Sequence, residues 1–392
     1  MKSFPYFCRL IATLQLRMKK IRIILTLLTA LCAARLSAQE LFVDVDFRTY
    51  FDNTESGSCT FTVPEPEKVS GTDFAARLTP RIGLRWEEKN SLVFGADMVQ
   101  NFGEPGSQFL SEVKPVMYYQ FQTPRVRAVA GIFTRDLTHD EDYSTAFFSL
   151  AERFVHNRMN GVLAQYNGRR GSYVEFVCDW EGMYSTASRE KFRILSSGRH
   201  FLDHFYYGYN LTLLHFAFQK DAPLENVVDY LLVNPTVGVK FKAFFDFDIH
   251  LGLLQTAQRD RSFGHSWELP RMGEFGLRMS RWGFTLDERI YFGGNLCPFY
   301  GGHDYVTEGG ETVYIPYGRA LYPGESFFRT QRGFYNRASL SYAKHFFHDT
   351  VRVRAEFVTH CDGSGLGTQQ LLDVAVKFLK PVYNSRNHKH GH

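Results

Sequence analysis

Charged side chains fall into two groups that are close in sequence. Basic residues occupy alternate positions in several stretches between residues 77 and 135, and an acidic run follows at 140–142. A row of cations opposite a row of acids selects ions and orients polar solutes in a narrow passage. The predicted site residues are Arg77, Arg81, Arg85, Lys114, Arg125, Arg127, Arg135, Asp140, Glu141 and Asp142. Two alternatives stay open: the arginines only pair with neighbouring acids, and the acidic run is a solvated external loop.

Hydrolytic or metal chemistry has weaker support in the sequence. His139 precedes Asp140 and His303 precedes Asp304, but neither pair has the ligand spacing of a zinc site. The chain contains no Gly-x-Ser-x-Gly elbow that would present a nucleophilic serine. We therefore expect no catalytic residues, no metal and no cofactor, and we predict that the protein is not an enzyme. A hydrolase with His, Asp or Ser at the rim of its fold is the less favoured alternative.

The residues that carry the basic row alternate with apolar ones. Phe74, Leu78 and Ile82 point to one side of a strand, and Arg77 and Arg81 point to the other. Such runs exceed ten residues, whereas soluble strands usually have about 5 to 6 and a tilted membrane strand needs roughly 9 to 11. The arginine face then lines an aqueous interior and the apolar face meets lipid. A soluble sandwich is the alternative, but single cores stop growing at about 250 to 300 residues.

The same pattern recurs along the chain and predicts the fold class. We expect an all-β protein, a transmembrane antiparallel up-and-down β-barrel of about 16 strands (roughly 14–18), spanning residues 40–378. Short turns, such as 87–90, alternate with long connections, of which 293–332 is the longest. An even strand number places both chain ends on one side of the membrane, together with the short turns.

The first 39 residues read as a signal peptide. A basic segment at 18–22 precedes an apolar run at 23–34, which is too short for a membrane helix, and Met18 is the expected start. Removing the leader with its seven Lys and Arg changes the net charge from +4 to −3. Nucleic acid is therefore not an expected partner. Residues 379–392 read as a C-terminal tail.

Aromatic residues make up 16% of the chain, which is typical of barrels with aromatic girdles at both membrane interfaces. Six tyrosines lie in or near the longest connection: Tyr291, Tyr300, Tyr305, Tyr314, Tyr317 and Tyr322. They predict either a vestibule that stacks on sugar rings or a girdle with a self-packed loop. Cys59, Cys297 and Cys361 fall in predicted outer loops, where one disulfide is permitted but the pairing stays open.

Together, the leader, the amphipathic strands, the unequal connections and a last strand ending at Phe378 resemble a Gram-negative outer-membrane β-barrel of the porin type. The resemblance implies an outer-membrane location and passive diffusion of small hydrophilic solutes through a lumen narrowed by the third long loop. It also implies contact with outer-membrane lipid, a terminal aromatic read by the outer-membrane assembly machinery, and a homotrimer as the candidate assembly. The alternative is a surface-exposed binding or structural barrel, saccharide-binding or adhesin-like, whose lumen is closed by loops.

Overall fold

The computed structural model describes residues 39–59, 70–103, 109–222, 225–262, 264, 266–306 and 309–384. The predicted signal peptide, apart from its last residue, and the end of the predicted tail lie outside these ranges. Within them, sixteen strands form one closed antiparallel barrel, and a separate two-stranded hairpin lies in the longest connection. The predicted fold class is therefore confirmed.

The barrel strands follow one another around the wall in chain order. The first nine are β1 (Gln39–Glu55), β2 (Gly71–Trp86), β3 (Asn90–Asn101), β4 (Glu112–Gln122), β5 (Val126–Thr134), β6 (Arg158–Asn167), β7 (Tyr173–Gly182), β8 (Arg189–Leu202) and β9 (Phe205–Gln219). The others are β10 (Val228–Lys242), β11 (Asp246–Asp260), β12 (Arg271–Arg281), β13 (Phe284–Gly293), β16 (Phe334–Phe346), β17 (Val351–Cys361) and β18 (Leu366–Asn384). The hairpin consists of β14 (His303–Val306) and β15 (Thr312–Ile315).

Closure of the barrel joins β1 to β18. Their antiparallel register runs from Glu40 opposite Asn384 to Glu55 opposite Thr368. The last strand thus continues for six residues beyond Phe378, where the sequence pattern had placed the start of a tail. The extension has a physical reason, because the first residues of β1 need hydrogen-bond partners on this side of the wall.

Side chains alternate across the wall as the sequence pattern predicts. On β2, Phe74, Leu78 and Ile82 are exposed on the outer face, whereas Arg77 and Arg81 are buried inside the barrel. An apolar outer surface and a polar inner one are what a barrel surrounded by lipid requires. The strands also alternate between short turns at one end and longer connections at the other. In bacterial barrels the short turns face the periplasm and the long connections face outward.

Two long connections fold back into the barrel, and we call the described parts of 135–157 and 294–333 the plug. The first contains a six-residue helix, α1 (Leu150–Val155), which is capped by the side chain of Ser149. The second contains the hairpin and a short helix, α2 (Gly318–Leu321). The two plug segments bind each other, because Ser149 N donates to Pro323 O and Glu325 N donates to Thr145 O, both at 2.9 Å. No α-helix in the described ranges has the length and apolar run that a bilayer crossing takes.

The plug packs against an apolar belt on the inner wall. Neighbouring strands each contribute one fully buried inward residue to this belt: Leu163, Val177, Leu195, Leu214, Leu232 and Leu254. The plug covers them with its own buried side chains, among them Phe147, Phe148, Leu321, Phe327 and Phe328. The plug and the belt therefore form an apolar core inside the lumen, toward the end with the long connections.

One buried ion-pair network fastens the first plug segment to the wall. The guanidinium of Arg81 contacts Asp44 Oδ2 at 2.8 Å and Asp136 Oδ2 at 3.0 Å. It also donates to Thr134 Oγ1 at 2.7 Å. Although burial opposes ionisation of Asp136, Arg81 and the hydrogen bonds outweigh it and hold its pKa well below the ordinary value. Asp136 is therefore the anchor of the segment.

The anchor predicts a stability loss for Asp136→Asn. Because Arg81 keeps Asp44 as a partner, we expect the free energy of unfolding to fall by about 2 to 3 kcal/mol. Since the folded pKa of Asp136 is lowered, its contribution is present above about pH 4 and is lost as the pH falls through the folded pKa. The difference between the wild type and the variant should therefore shrink in acid. Urea unfolding of the refolded barrel in detergent, followed by tryptophan fluorescence, measures it.

Asp203→Asn is the matched control. Asp203 pairs with Arg170 at 2.7 Å, but both side chains are well exposed, so we expect a loss of at most about 1 kcal/mol. Equal losses in the two variants would show that Asp136 anchors nothing.

Candidate functional site

The predicted basic row lies mostly inside the barrel, where each cation has a partner. Arg77 contacts Asp97 at 3.1 Å, and Arg85 contacts Glu40 at 3.2 Å. Lys114 pairs with Glu112 on its own strand, and Arg127 donates to the carbonyl of Leu137 at 2.9 Å. Arg125 differs, because it is exposed in the short turn before β5. Four cations of β2 to β4 are therefore paired with carboxylates, whereas Arg127 is hydrogen-bonded to an uncharged carbonyl.

The third long loop of the porin resemblance would set Asp140, Glu141 and Asp142 opposite Arg77, Arg81 and Arg127, but the ion pairs of these acids are with other arginines. Asp140 contacts Arg135 at 3.1 Å, Asp142 contacts Arg199 at 3.3 Å, and Glu141 lies 3.9 Å from Arg352. Two 3₁₀ turns, Arg135–Leu137 and Asp140–Asp142, redirect the backbone immediately after β5. The acidic run therefore pairs with Arg135, Arg199 and Arg352, and Asp136 is the acid of this segment that contacts Arg81.

A cavity of about 740 Å³ remains in the lumen beside the plug. Its lining includes ten arginines and two lysines against ten carboxylates. The residual charge is small, so the interior as a whole is not the basic wall that β2 to β5 alone suggested. A wall of paired charges can bind polar solutes, but it gives little preference between cations and anions.

His139 is one of the two histidines that line the cavity. Its ring stacks on Tyr173 with 3.8 Å between ring centres, and its Nδ1 lies 3.7 Å from Asp142. The amide of His139 donates to Glu175 at 2.8 Å. Burial lowers the pKa of His139, so the imidazole is neutral near pH 7. A neutral imidazole has one ring nitrogen that can accept a proton.

The second predicted histidine pair is part of the plug. His303 packs edge-on against Phe299, Tyr305 and Tyr317, and both tyrosines donate to Asp260. Tyr300 and Tyr322 are also buried in the plug, as a self-packed loop requires. Within the described ranges no three His, Cys, Asp or Glu side chains are grouped so that they could hold a metal ion. Cys59, Cys178, Cys297 and Cys361 are free thiols.

A polar group that the sequence patterns did not reveal lies on the outside of the barrel, at the end with the long connections. Asp229 accepts from Arg259 at 2.9 Å and from Arg261 at 2.7 and 2.8 Å. The guanidinium of Arg259 lies 4.6 Å above the ring of Trp267. Directly opposite Asp229 in the β9–β10 register is His215. We call these five residues the outer-wall cluster.

An aromatic ladder holds the histidine of this cluster. The ring of His215 stacks on Phe192 with 5.0 Å between centres, and Phe192 stacks on Trp180 at 5.4 Å. Opposite residues in an antiparallel pair have Cβ atoms roughly 4.5 to 5.5 Å apart, so His215 and Asp229 occupy neighbouring positions on the outer face. A polar residue at an outward position of an otherwise apolar strand is the one sequence signal that could have revealed the cluster.

Solved structures with the same architecture include outer-membrane proteins. A loop-deletion mutant of OmpT, an outer membrane protein of Vibrio cholerae, is 9% identical over 87% of this chain and 100% of that chain, with a TM-score of 0.51. OccK11 (OpdR) of Pseudomonas aeruginosa is 9% identical over 88% of this chain and 98% of that chain, with a TM-score of 0.48. At such identities the first likeness shows the fold alone. No curated protein sequence matches the chain.

A family model described as lipid A 3'-O-deacylase-type matches residues 33–377. A deacylase is an enzyme, so the expectation that this protein is not an enzyme is wrong. That expectation depended on finding no serine elbow and no zinc spacing, but a histidine that activates water leaves no such local motif. Because the match covers most of the sequence, the chain belongs to the lipid A 3'-O-deacylase-type family.

Proposed function

We propose that the protein is an acyl ester hydrolase of the Gram-negative outer membrane that acts on a lipid A-type glycolipid at the outer-wall cluster. The family supplies the reaction type, because a 3'-O-deacylase removes an acyl chain from an oxygen. The fold supplies the setting, a barrel with an apolar outer surface. The position of the cluster supplies the site.

Access favours the outer wall over the lumen. A glycolipid of the outer leaflet has its acyl chains in the bilayer and its head group at the surface. Such a molecule meets the outside of the barrel beside the long connections, where the outer-wall cluster lies. The lumen toward that end is filled by the plug, with Phe327 and Phe328 fully buried.

Charge favours a phosphorylated head group. Two arginines share one aspartate in the outer-wall cluster, so one positive charge is left over. Arginine binds phosphate through two parallel hydrogen bonds. Arg259 and Arg261 remain partly exposed while they contact Asp229, and they can therefore reach a phosphate of the glycolipid.

The chemistry needs one base and one water molecule. In the proposed step His215 takes a proton from water as the water oxygen bonds to the acyl carbon. The bond between that carbon and the sugar oxygen then breaks, and the sugar oxygen takes the proton. The products are a fatty acid and a free sugar hydroxyl. Asp229, opposite in the register, stabilises the imidazolium that forms in between.

One observation carries the proposal: a charged cluster with a histidine on the lipid-facing wall, at the end where the outer leaflet lies. Arginine in the bilayer midplane costs about 2 to 4 kcal/mol, whereas near the interface it costs about 0 to 1. Charges at this level are therefore tolerable, and a phosphorylated lipid gives them a ligand.

The proposal predicts that His215→Ala lowers kcat for release of the acyl chain by roughly 10² to 10⁴-fold, the usual contribution of a general base. Mass spectrometry of lipid A from cells that express the wild type should show a species lacking one acyl chain. That species should be nearly absent from cells with the variant, at equal levels of folded barrel. Purified protein with lipid A in detergent gives the rate itself.

His204→Ala is the control for the loss of a histidine, because His204 is exposed in a short turn at the opposite end. It should deacylate at the rate of the wild type. A fully active His215→Ala variant, or no deacylated lipid with the wild type, would refute the proposed site or the proposed reaction respectively.

A second candidate is the predicted diffusion channel for small hydrophilic solutes. The charged cavity of about 740 Å³ favours it, and the paired charges of its lining would give little preference between cations and anions. Passage would require the plug to open. The expected assembly machinery contact and the homotrimer stay predictions.

Loosening the plug tests this second candidate. Phe328 is fully buried, so Phe328→Ala removes about 3 to 5 kcal/mol of packing. We expect the wild type to stay closed in planar bilayers and the variant to open at least about ten times more often. Phe347→Ala, which removes an exposed ring in a short turn, should behave as the wild type. Steady open conductance of the wild type would contradict a closing plug.

A further inference from the structure

The outer face of the barrel has a cleft at the end opposite the outer-wall cluster. It measures about 520 Å³ and lies where β6, β7, β8 and β9 approach their short turns. Tyr166, Val174 and Tyr207 line it with exposed apolar surface. Small-ligand sites usually measure about 300 to 1,000 Å³ and are mostly apolar, so the cleft has the size and lining of a binding site.

The floor of the cleft is built from fixed groups. The Tyr209 ring packs directly over Gly198. A Cβ atom at residue 198 would lie only 2.9 Å from this ring, so the position requires glycine. The Tyr209 hydroxyl is 3.0 Å from the Ser196 hydroxyl, which in turn donates to the Glu175 carbonyl at 2.8 Å. The cleft therefore exists before any ligand binds.

Positive charge lies at the mouth of the cleft. Arg169 and Arg170 belong to the short turn between β6 and β7, and both line the cleft. Arg170 pairs with Asp203 in the neighbouring turn. Arg169 forms no ion pair with any residue in the described ranges. One positive charge is therefore available beside an apolar groove.

We propose that this cleft binds one anionic glycerophospholipid of the periplasmic leaflet. The short turns face the periplasm in bacterial barrels, so the mouth lies at the level of phospholipid head groups. The phosphodiester would bind to Arg169 and Arg170, and one acyl chain would lie along Val174 and Tyr166. The inference is separate from the proposed hydrolase site, which lies at the other end of the wall.

The proposed ligand is defined by two features of the cleft, an apolar groove and a pair of arginines at its mouth. An apolar groove alone would take any acyl chain or detergent, and two surface arginines alone would take any anion. A phospholipid joins both parts at the spacing of a head group and a chain. A juxtamembrane arginine contributes about 1 kcal/mol toward an anionic lipid, or roughly fivefold in affinity.

Native mass spectrometry of the full barrel with short-chain phosphatidylglycerol tests the proposal. We expect saturable binding of one lipid, with affinity about fivefold weaker in Arg169→Ser and about 25-fold weaker in the Arg169→Ser, Arg170→Ser double variant. Arg125→Ser removes an exposed arginine from the neighbouring short turn and should leave the affinity unchanged. Val174→Trp fills the groove and should abolish binding with both arginines intact.

Each other result would overturn the proposal. Equal affinity for phosphatidylcholine and phosphatidylglycerol would mean that the arginines do not recognise the head group. Unchanged affinity in the double variant would mean the same. Undiminished binding by Val174→Trp means that no chain enters the cleft. Unfolded variants are recognised by loss of heat-modifiable migration. Deacylation of lipid A should proceed normally in the arginine variants, so failure here and failure of the proposed function are distinguishable.

Discussion

A barrel of sixteen strands encloses more space than the side chains of its own wall can fill. In proteins such a lumen is either a water-filled channel or is plugged by loops of the polypeptide. Here two connections fill part of it, and their aromatic side chains bury the inward belt that includes Leu195, Leu214 and Leu232. The belt is the reason the plug stays in place, because withdrawing it would expose these leucines to water at about 25 cal/mol per Å² of apolar surface.

Filling the lumen changes what its charges do. Once Arg81 and Arg77 are buried, each needs an acid nearby, because an unpaired buried charge costs several kcal/mol. Asp136 and Asp97 meet that need at 3.0 and 3.1 Å. The arginine row of β2 is thus explained by the plug and the neighbouring strands. Burial inside the lumen does not explain the charged residues on the outer wall, because these side chains are not enclosed by the plug.

The sequence predicts the strands of the barrel wall better than the plug inside the barrel. Alternation at period two places Arg81 inside and Ile82 outside, and both positions are confirmed. The partner of Arg81 could not be predicted, because Asp136 begins a segment without periodicity whose path depends on contacts across the lumen. The belt was missed for another reason: Leu214 is inward and Leu213 outward, and two apolar neighbours give no alternation. His215 and Arg259 are exceptions to an apolar outer face, and one sequence does not distinguish an exception from noise.

Charge on a lipid-facing wall is tolerated only near the interfaces, since its cost falls from the midplane toward the head groups. The polar groups of this outer wall obey that limit. Arg259 is the second-last residue of β11, next to the long connection that follows. Arg169 lies in a short turn at the other end of the barrel. Each lies beside aromatic rings, Trp267 in one case and Tyr166 in the other. The plug fills the lumen toward the long connections, so at that end the outer wall is the surface that we propose for contact with the lipid substrate. In the proposed function the two features belong together, because the plug fills one end of the lumen and the outer-wall cluster meets the lipid outside.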